Sequence, residues 1–374
     1  MQTLPAFYEF FAGGGMVRAG LGAGWQAQFA NDIDPAKAAC YRANWGRDDF
    51  KLGDIADLIT DDLPGQADLA WASFPCQDLS LAGGRRGLAG VRSGMFWAFW
   101  RLVEGLEREG RGPELIAIEN VTGLLTSDQG RDFAALGDAI ANAGYAFTAF
   151  IIDAAQFLPQ SRPRLFVIAS RNGFPVAETP AFHPPALQRA VANLTGSAKD
   201  AWLNVYLPSP PFRNTDLSSV IEPDSKDIRW RSGADTTALL ALMAPLHRAR
   251  VKSAMKAGGR HIGTAFRRMR RDPSGQNIQR AEVRFDGVAG CLRTPAGGSS
   301  RQTLVIVEDG NVRTRLLSAR EALRLMGLPD DYVAPPSFNA ALKLTGDGVA
   351  VPVVRHLAEH LFEPLLAART RAAA

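Results

Sequence analysis

Short apolar segments recur through the first 170 residues, and each gives way to a turn or a helical pattern before the next begins. Pro5 to Phe11 is strand-like and runs into Gly13-Gly14-Gly15, after which a helical pattern continues through Leu21. Trp25 to Ala30 reads as a second strand, followed by a helix from Pro35 to Trp45. Ala67 to Ser73 reads as a buried strand that stops at Pro75, and Glu114 to Ile118 as one that stops at Glu119. Phe147 to Asp153 and Leu165 to Ser170 supply two more. Strands alternating with helices predict an α/β fold with a mostly parallel sheet and helices on both faces. Ligands of such sheets collect at the carboxyl ends of the strands. Three segments fall at such ends: the glycine run, Pro75-Cys76 and Glu119-Asn120.

The remainder of the chain has a different character. Residues 174–230 hold eight prolines and no clean period, and Trp202 to Leu207 is the one strand-like stretch there. From His247 to Arg301, thirteen Lys or Arg stand against three acids, so that a chain of net charge +4 is negative outside this segment. A concentrated basic stretch is the footprint of a polyanion partner, although a solvated basic helix has the same composition. A helical pattern returns over Ser318–Met326, and Val349 to Phe362 reads as a final amphipathic helix. At 374 residues the chain has room for two domains at about 150 residues each, or one with an insertion. Three cysteines, Cys40, Cys76 and Cys291, fit a reducing compartment better than a disulfide scaffold. No apolar run approaches the roughly 18 residues that span a bilayer, and Met1 to Pro5 lacks a secretory signal. The expectation is a soluble protein of the cytoplasm with no membrane partner.

The motifs carry specific chemistry. A glycine turn between a strand and a helix lets backbone N–H groups approach a ligand, but serves equally well as a plain tight turn. Asp32 lies 19 residues after Gly13, where a ribose-binding carboxylate belongs, and Asp54 follows a third short strand. Ser73-Phe74-Pro75-Cys76-Gln77 delivers a cysteine into a proline-restricted turn, followed by a glycine-rich stretch bearing Arg85, Arg86 and Arg92. That context suits an exposed thiolate under a closing loop more than an inert core cysteine. Glu119 ends an apolar strand, a setting that raises a carboxyl pKa and suits a general acid. Arg162 and Arg164 alternate ahead of a strand, an arrangement that points both to one face, ready for a carboxylate and a carbonyl oxygen. Ser209-Pro210-Pro211-Phe212 resembles the turn of methyltransferases acting on exocyclic amino groups, although proline pairs are common in loops.

Taken in order, these segments resemble a DNA (cytosine-5) methyltransferase of the bacterial type. The resemblance covers Phe7 to Ser170 and Arg315 to about Phe362. It includes Asn31-Asp32-Ile33-Asp34, Gly53-Asp54-Ile55, Phe74-Pro75-Cys76-Gln77, Glu119-Asn120-Val121, Gln160-Ser161-Arg162-Pro163-Arg164, Arg320 to Pro329 and Gly346-Asp347-Gly348-Val349. Two positions depart from the pattern: Asp347 stands where the family has Asn, and Ile33 where some members have an aromatic residue. The resemblance implies a Rossmann-like S-adenosylmethionine-dependent methyltransferase sheet with an inserted, irregular target-recognition domain. On it, residues 1–178 are the first part of the catalytic, cofactor-binding domain. Residues 179–335 are the recognition domain and its bracing segment, and 336–374 the return to the catalytic domain.

S-adenosylmethionine would lie against Phe11, Ala12, Gly13, Gly15, Asp32, Ile33, Asp54, Ile55, Pro75 and Asp347. Cys76 would be the nucleophile, Glu119 the acid, and Arg164 with Arg162 would hold the target base, with no metal. The substrate would be a cytosine flipped from a specific double-stranded DNA sequence beneath the loop Gln77 to Arg92. The expected setting is the nucleoid, with a restriction endonuclease on a separate chain as a possible partner. The competing readings are an exocyclic-amino (N4) methyltransferase centred on Ser209–Phe212, an RNA cytosine methyltransferase, and a DNA-binding regulator without activity.

Overall fold

The computed structural model describes residues 4–75, 94–178, 181–222, 228–272, 274–294 and 301–373. No helix among them is long and apolar enough to cross a membrane. The chain divides into two compact units. Unit 1 comprises Met1–Asp153, Pro163–Pro211 and Gly348–Ala374, and unit 2 comprises Ala154–Arg162 and Phe212–Asp347.

Unit 1 is built on a seven-stranded sheet. Its strands are β1 (Ala6–Phe10), β2 (Gln26–Asp32), β3 (Phe50–Leu52), β4 (Leu69–Ala72), β5 (Leu115–Asn120), β6 (Ala146–Asp153) and β7 (Pro163–Ser170). They lie in the order β3-β2-β1-β4-β5-β7-β6. The pairings β1–β2, β1–β4, β4–β5 and β2–β3 are parallel, whereas β7 runs antiparallel to both β5 and β6. The expected mostly parallel α/β sheet is therefore present. The central strands Leu-Ala-Trp-Ala and Leu-Ile-Ala-Ile are buried on both faces, which is why they read as unbroken apolar runs.

Four helices of this unit have strong sequence causes. α1 (Met16–Leu21) springs directly from the glycine turn, and α2 (Pro35–Trp45) is capped by Asp34, whose carboxylate accepts from the Ala36 and Lys37 amides. α3 (Met95–Arg108) and α4 (Arg131–Asn142) each bury one apolar stripe. Phe96, Phe99 and Trp100 from α3 join Phe10, Phe29 and Phe74 in the main core. The terminal helix runs without a break from Val351 to Ala373, with a π-helical stretch over Ala358–Phe362 between the α-helical parts Val351–Leu357 and Glu363–Ala373. Trp202 to Leu207 forms no strand, only isolated bridges from Trp202 to Phe147 and from Val205 to Val176.

Unit 2 is more regular than its sequence suggests. It holds a four-stranded antiparallel sheet of β8 (Arg260–Arg271), β9 (Asn277–Arg284), β10 (Thr303–Glu308) and β11 (Asn311–Leu316), ordered β11-β10-β8-β9. Ala265, Ala281, Val283, Val305 and Val307 cluster with Leu239 of the helix Gly233–Ala241, Val251 and Ala254 of the helix Pro245–Ala257, and Met243 between the two helices. The expectation of an irregular insert is corrected here. Arginines occupy so many positions of β8 and β9 that their period-2 alternation does not show as hydrophobicity. At the end of β11 Arg315 forms a bidentate pair with Glu321, Nη1–Oε2 2.7 Å and Nη2–Oε1 2.6 Å, with side chains 2% and 0% exposed. The amides of Ser318 and Glu222 also donate to Glu321. This buried knot explains the conspicuous Arg320-Glu321-Ala322-Leu323 helix start, which carries a Ser318–Glu321 capping box.

Candidate active site

The carboxyl ends of β1, β2 and β3 meet at the glycine turn. Phe11, Gly13 and Gly15 all have positive φ, 59°, 58° and 78°, so the chain reverses tightly between β1 and α1. The turn is pinned to β2: the Ala12 amide donates to the Asn31 carbonyl at 2.8 Å and the Gly13 amide to Asp32 Oδ2 at 2.9 Å. A Cβ on Gly15 would stand 2.3 Å from Trp45 Nε1, and that indole donates to the Gly14 carbonyl. Glycine is thus required at position 15 by both conformation and space.

Asp32 is buried, and its Oδ1 accepts from the Asp34 amide at 2.8 Å. Each of its oxygens retains a second acceptor direction. Beside it, Ile33 (62% exposed) and Leu52 (40% exposed) present apolar faces at adjacent strand ends. A buried carboxylate for a ribose diol, apolar faces for a purine and a tight backbone turn fit a nucleoside-containing ligand. Asp54 caps the short helical turn after β3 through a 2.9 Å bond from the Ala56 amide. Ile55 points into the core at 2% exposure, so only its backbone is available to a ligand. Asp347 belongs to unit 2, where it ends the helix Phe338–Asp347 and accepts a hydrogen bond from Thr294.

A second cluster stands at the ends of β4 and β5. Trp71 Nε1 donates to Ser73 Oγ at 2.9 Å, and Phe74 is buried against Phe96. Asn120 Nδ2 then donates to the Phe74 carbonyl at 3.3 Å, tying the segment that leads to exposed Pro75 to the end of β5. Glu119 is 5% exposed and pairs with Arg164, whose Nε lies 3.0 Å from Glu119 Oε1. Arg164 also donates to the Pro163 carbonyl. Cys76, and the loop through Arg92 with Arg85 and Arg86, lie outside the described residues.

Arg162 and Arg164 do not share a target. Arg162 belongs to unit 2, where it is 2% exposed and donates to the carbonyls of Leu292 at 3.0 Å and Gly346 at 2.9 Å. The chain passes from one unit to the other between these two arginines, so the strand alternation that predicts a common face does not extend to Arg162. Two functional residues carry more than the sequence reading assigned them. Asn120 is the tether just described. Gln160, fully buried, bridges the Leu325 carbonyl (2.6 Å) and the Leu292 amide (3.2 Å). Both sit inside recognised motifs, the only signal that singles them out. Ser209 and Phe212 are exposed, Phe212 at 99%, and neither lies on a strand.

The sequence profile of the family described as C-5 cytosine-specific DNA methylase matches residues 6–363. Type II methyltransferase M1.ScrFI of Lactococcus lactis subsp. cremoris is 26% identical over 366 residues, 96% of this chain and 78% of the relative. Type II methyltransferase M.HhaI of Haemophilus parahaemolyticus is 25% identical over 357 residues, 95% of this chain and 93% of the relative. Among solved structures, the S. pombe Dnmt2 methyltransferase superposes with a TM-score of 0.61 at 18% identity, covering 96% of this chain and 99% of its own. A putative DNA modification methyltransferase encoded within an E. coli prophage does so at 0.58 and 17% identity, covering 97% of this chain and 99% of its own. The chain belongs to the C-5 cytosine-specific DNA methylase family and is a methyltransferase acting on cytosine in DNA.

Proposed function

We propose that this enzyme methylates a cytosine flipped out of a specific double-stranded DNA site, with Cys76 as nucleophile, Glu119 as acid and Arg164 as the group that orients it. Carbon 5 of cytosine is a poor nucleophile. Addition of the Cys76 thiolate to carbon 6 sends an electron pair into the ring and makes carbon 5 reactive. Glu119 places a proton at ring nitrogen 3, where that charge gathers. Arg164 holds Glu119 in position and offers its remaining N–H groups to the base's carbonyl oxygen. Carbon 5 then forms its bond to the methyl group, a base takes the carbon-5 proton, and the C6–S bond breaks to restore the thiolate. Extruding the base from the duplex costs a few kcal/mol, offset by contacts to protein.

S-adenosylmethionine supplies, when bound, a methyl group on a sulfonium that leaves as a neutral thioether. Phe11, Ala12, Gly13 and Gly15 would cradle it with backbone, Asp32 would take the ribose, and Ile33 with Asp54 and the Ile55 backbone would take the adenine. Pro75 and Asp347 would complete the set. Arg162 acts here as a positioning residue for the chain that carries Arg164. A separate restriction endonuclease is the partner this activity would protect host DNA against.

The observation that carries the reading is the Arg164–Glu119 pair standing at the strand end that Asn120 ties to Phe74, two residues before Cys76. The test is expression in a host free of cytosine methylation, beside a Cys76→Ser control, with the DNA digested to nucleosides and these identified by mass spectrometry. 5-Methylcytosine in the wild type alone is expected. N4-methylcytosine, or 5-methylcytosine that survives the Cys76→Ser change, would overturn the mechanism.

A further inference from the structure

The sheet of unit 2 does not end level. Among the described residues, β10 pairs with β8 from Thr303↔Ala265 to Glu308↔Arg260. β9 remains paired with β8 from Thr264↔Arg284 out to Arg271↔Asn277. Phe266–Arg271 and Asn277–Glu282 therefore continue as a two-stranded ribbon beyond the edge of β10. At about 3.3 Å per residue it runs on for about 20 Å. Residues 268–271 are all exposed, so both faces of the ribbon's outer half are open to solvent.

Arg268 stands directly opposite Arg280, a cross-strand pairing of like charges that weakens a hairpin. Glu282 is the one acid on the ribbon strands; it bonds Arg270 Nε at 2.6 Å and lies 3.8 Å from Arg268 Nε. The register separates two faces. Met269↔Gln279 and Arg271↔Asn277, with Arg267, share one face, which carries amides, guanidinium groups and an exposed methionine at 59%. Arg268, Arg270 and Arg280 share the other, with Arg268 lying over the Phe266 ring.

We propose that this ribbon enters the major groove of the DNA substrate and that Met269, Gln279, Arg271 and Asn277 read base edges there, while Arg268, Arg270 and Arg280 bind the flanking phosphates. The major groove admits a two-stranded ribbon of this width. Arginine matches the guanine edge, Gln and Asn match adenine, and a methionine packs on a thymine methyl. The other face sets Arg268, Arg270 and Arg280 beside Phe266, Ile278 and the single acid Glu282, a net positive charge without a varied hydrogen-bond code, as phosphate binding requires. The inference rests on the DNA-methylating reading and assigns the recognition to particular residues.

The test is selection of bound duplexes by the full-length protein from a pool with a randomised centre, followed by sequencing. This readout needs no methyl transfer. Gln279→Ala/Arg271→Ala is expected to erase or change the preference at one or two positions, with about tenfold weaker binding to the wild-type site and near-normal binding to random duplex. Arg268→Ala/Arg280→Ala is expected to weaken binding to every sequence and to lower the salt slope by about one for each phosphate that is no longer neutralised. All four substituted positions lie outside the unit 2 core, and thermal melting of each variant checks its fold. An unchanged selected motif in the first variant, or equal losses on all sequences from both variants, would overturn the proposal. A wild type that selects a motif but makes no 5-methylcytosine would leave it standing and overturn the catalytic reading instead.

Discussion

Glu9 offers a sharp test of how burial and charge compete in this fold. It lies within β1 at 1% exposure, and its Oε2 has no hydrogen-bond partner among the described residues. Burial pushes its carboxyl from the usual 4.5 up to about 8, against the pull of Arg18 and the Val17 and Arg18 amides. The folded-state value is raised, so the native protein keeps this proton after the unfolded chain has lost it. The contribution is fully present below pH 4.5 and is lost as pH rises towards 8. At about 1.36 kcal/mol per unit, the wild type forfeits about 3 kcal/mol by pH 7 and about 5 kcal/mol above pH 8. Glu9→Gln copies the protonated acid in shape and cannot ionise. Urea unfolding followed by tryptophan fluorescence at about pH 5, 7 and 8.5 should show the variant gaining on the wild type with each step. Two curves that stay parallel across this range would refute the argument that Glu9 is buried neutral.

Four further outcomes are expected. Glu119→Gln should lower methyl transfer by about 10²–10⁴-fold, because an amide cannot deliver a proton, while Arg164→Lys fails to restore full rate because it lacks the planar fork; single-turnover kinetics measure both. Glu321→Ala leaves the Arg315 guanidinium buried without its carboxylate, a change expected to cost about 3–5 kcal/mol, read as a lower denaturation midpoint. DNA affinity should fall linearly on a log–log plot against salt, with a slope near −0.9 per neutralised phosphate, and a flat plot would remove the basic segment from the interface.

Much of unit 1 was legible because its strands are buried on both faces and leave continuous apolar runs. The spacing from Gly13 to Asp32 translates directly into the hydrogen bond that joins them. Glu119 was legible as the polar end of an apolar strand. The rest failed for identifiable reasons. Strands β8 and β9 hide because one half is a ribbon with arginines on both faces, so hydrophobicity does not alternate. Trp202 to Leu207 looks like a strand but packs as a loop, with Val205 and Leu207 buried and no ladder partner beyond single bridges. Arg162 and Arg164 look equivalent two residues apart, and only three-dimensional structure reveals that one clamps carbonyls in unit 2 and the other pairs with Glu119. Asn120 shows in sequence only as part of the Glu119-Asn120-Val121 motif, and its role does not, because that role is a side-chain bond to a distant carbonyl.

The chain visits unit 2 twice, briefly at Ala154–Arg162 and then at Phe212–Asp347. The short visit is firmly wired in: the Ser161 amide reaches Ala289, Gln160 bridges Leu292 and Leu325, and Arg162 clamps Leu292 and Gly346. Recombination that exchanged only the long segment would leave the short strap facing foreign carbonyls, with a buried guanidinium and a buried amide to satisfy. Unit 2 is thus not a cassette with two ends but a module with four, and strap and insert are heritable only as a matched pair.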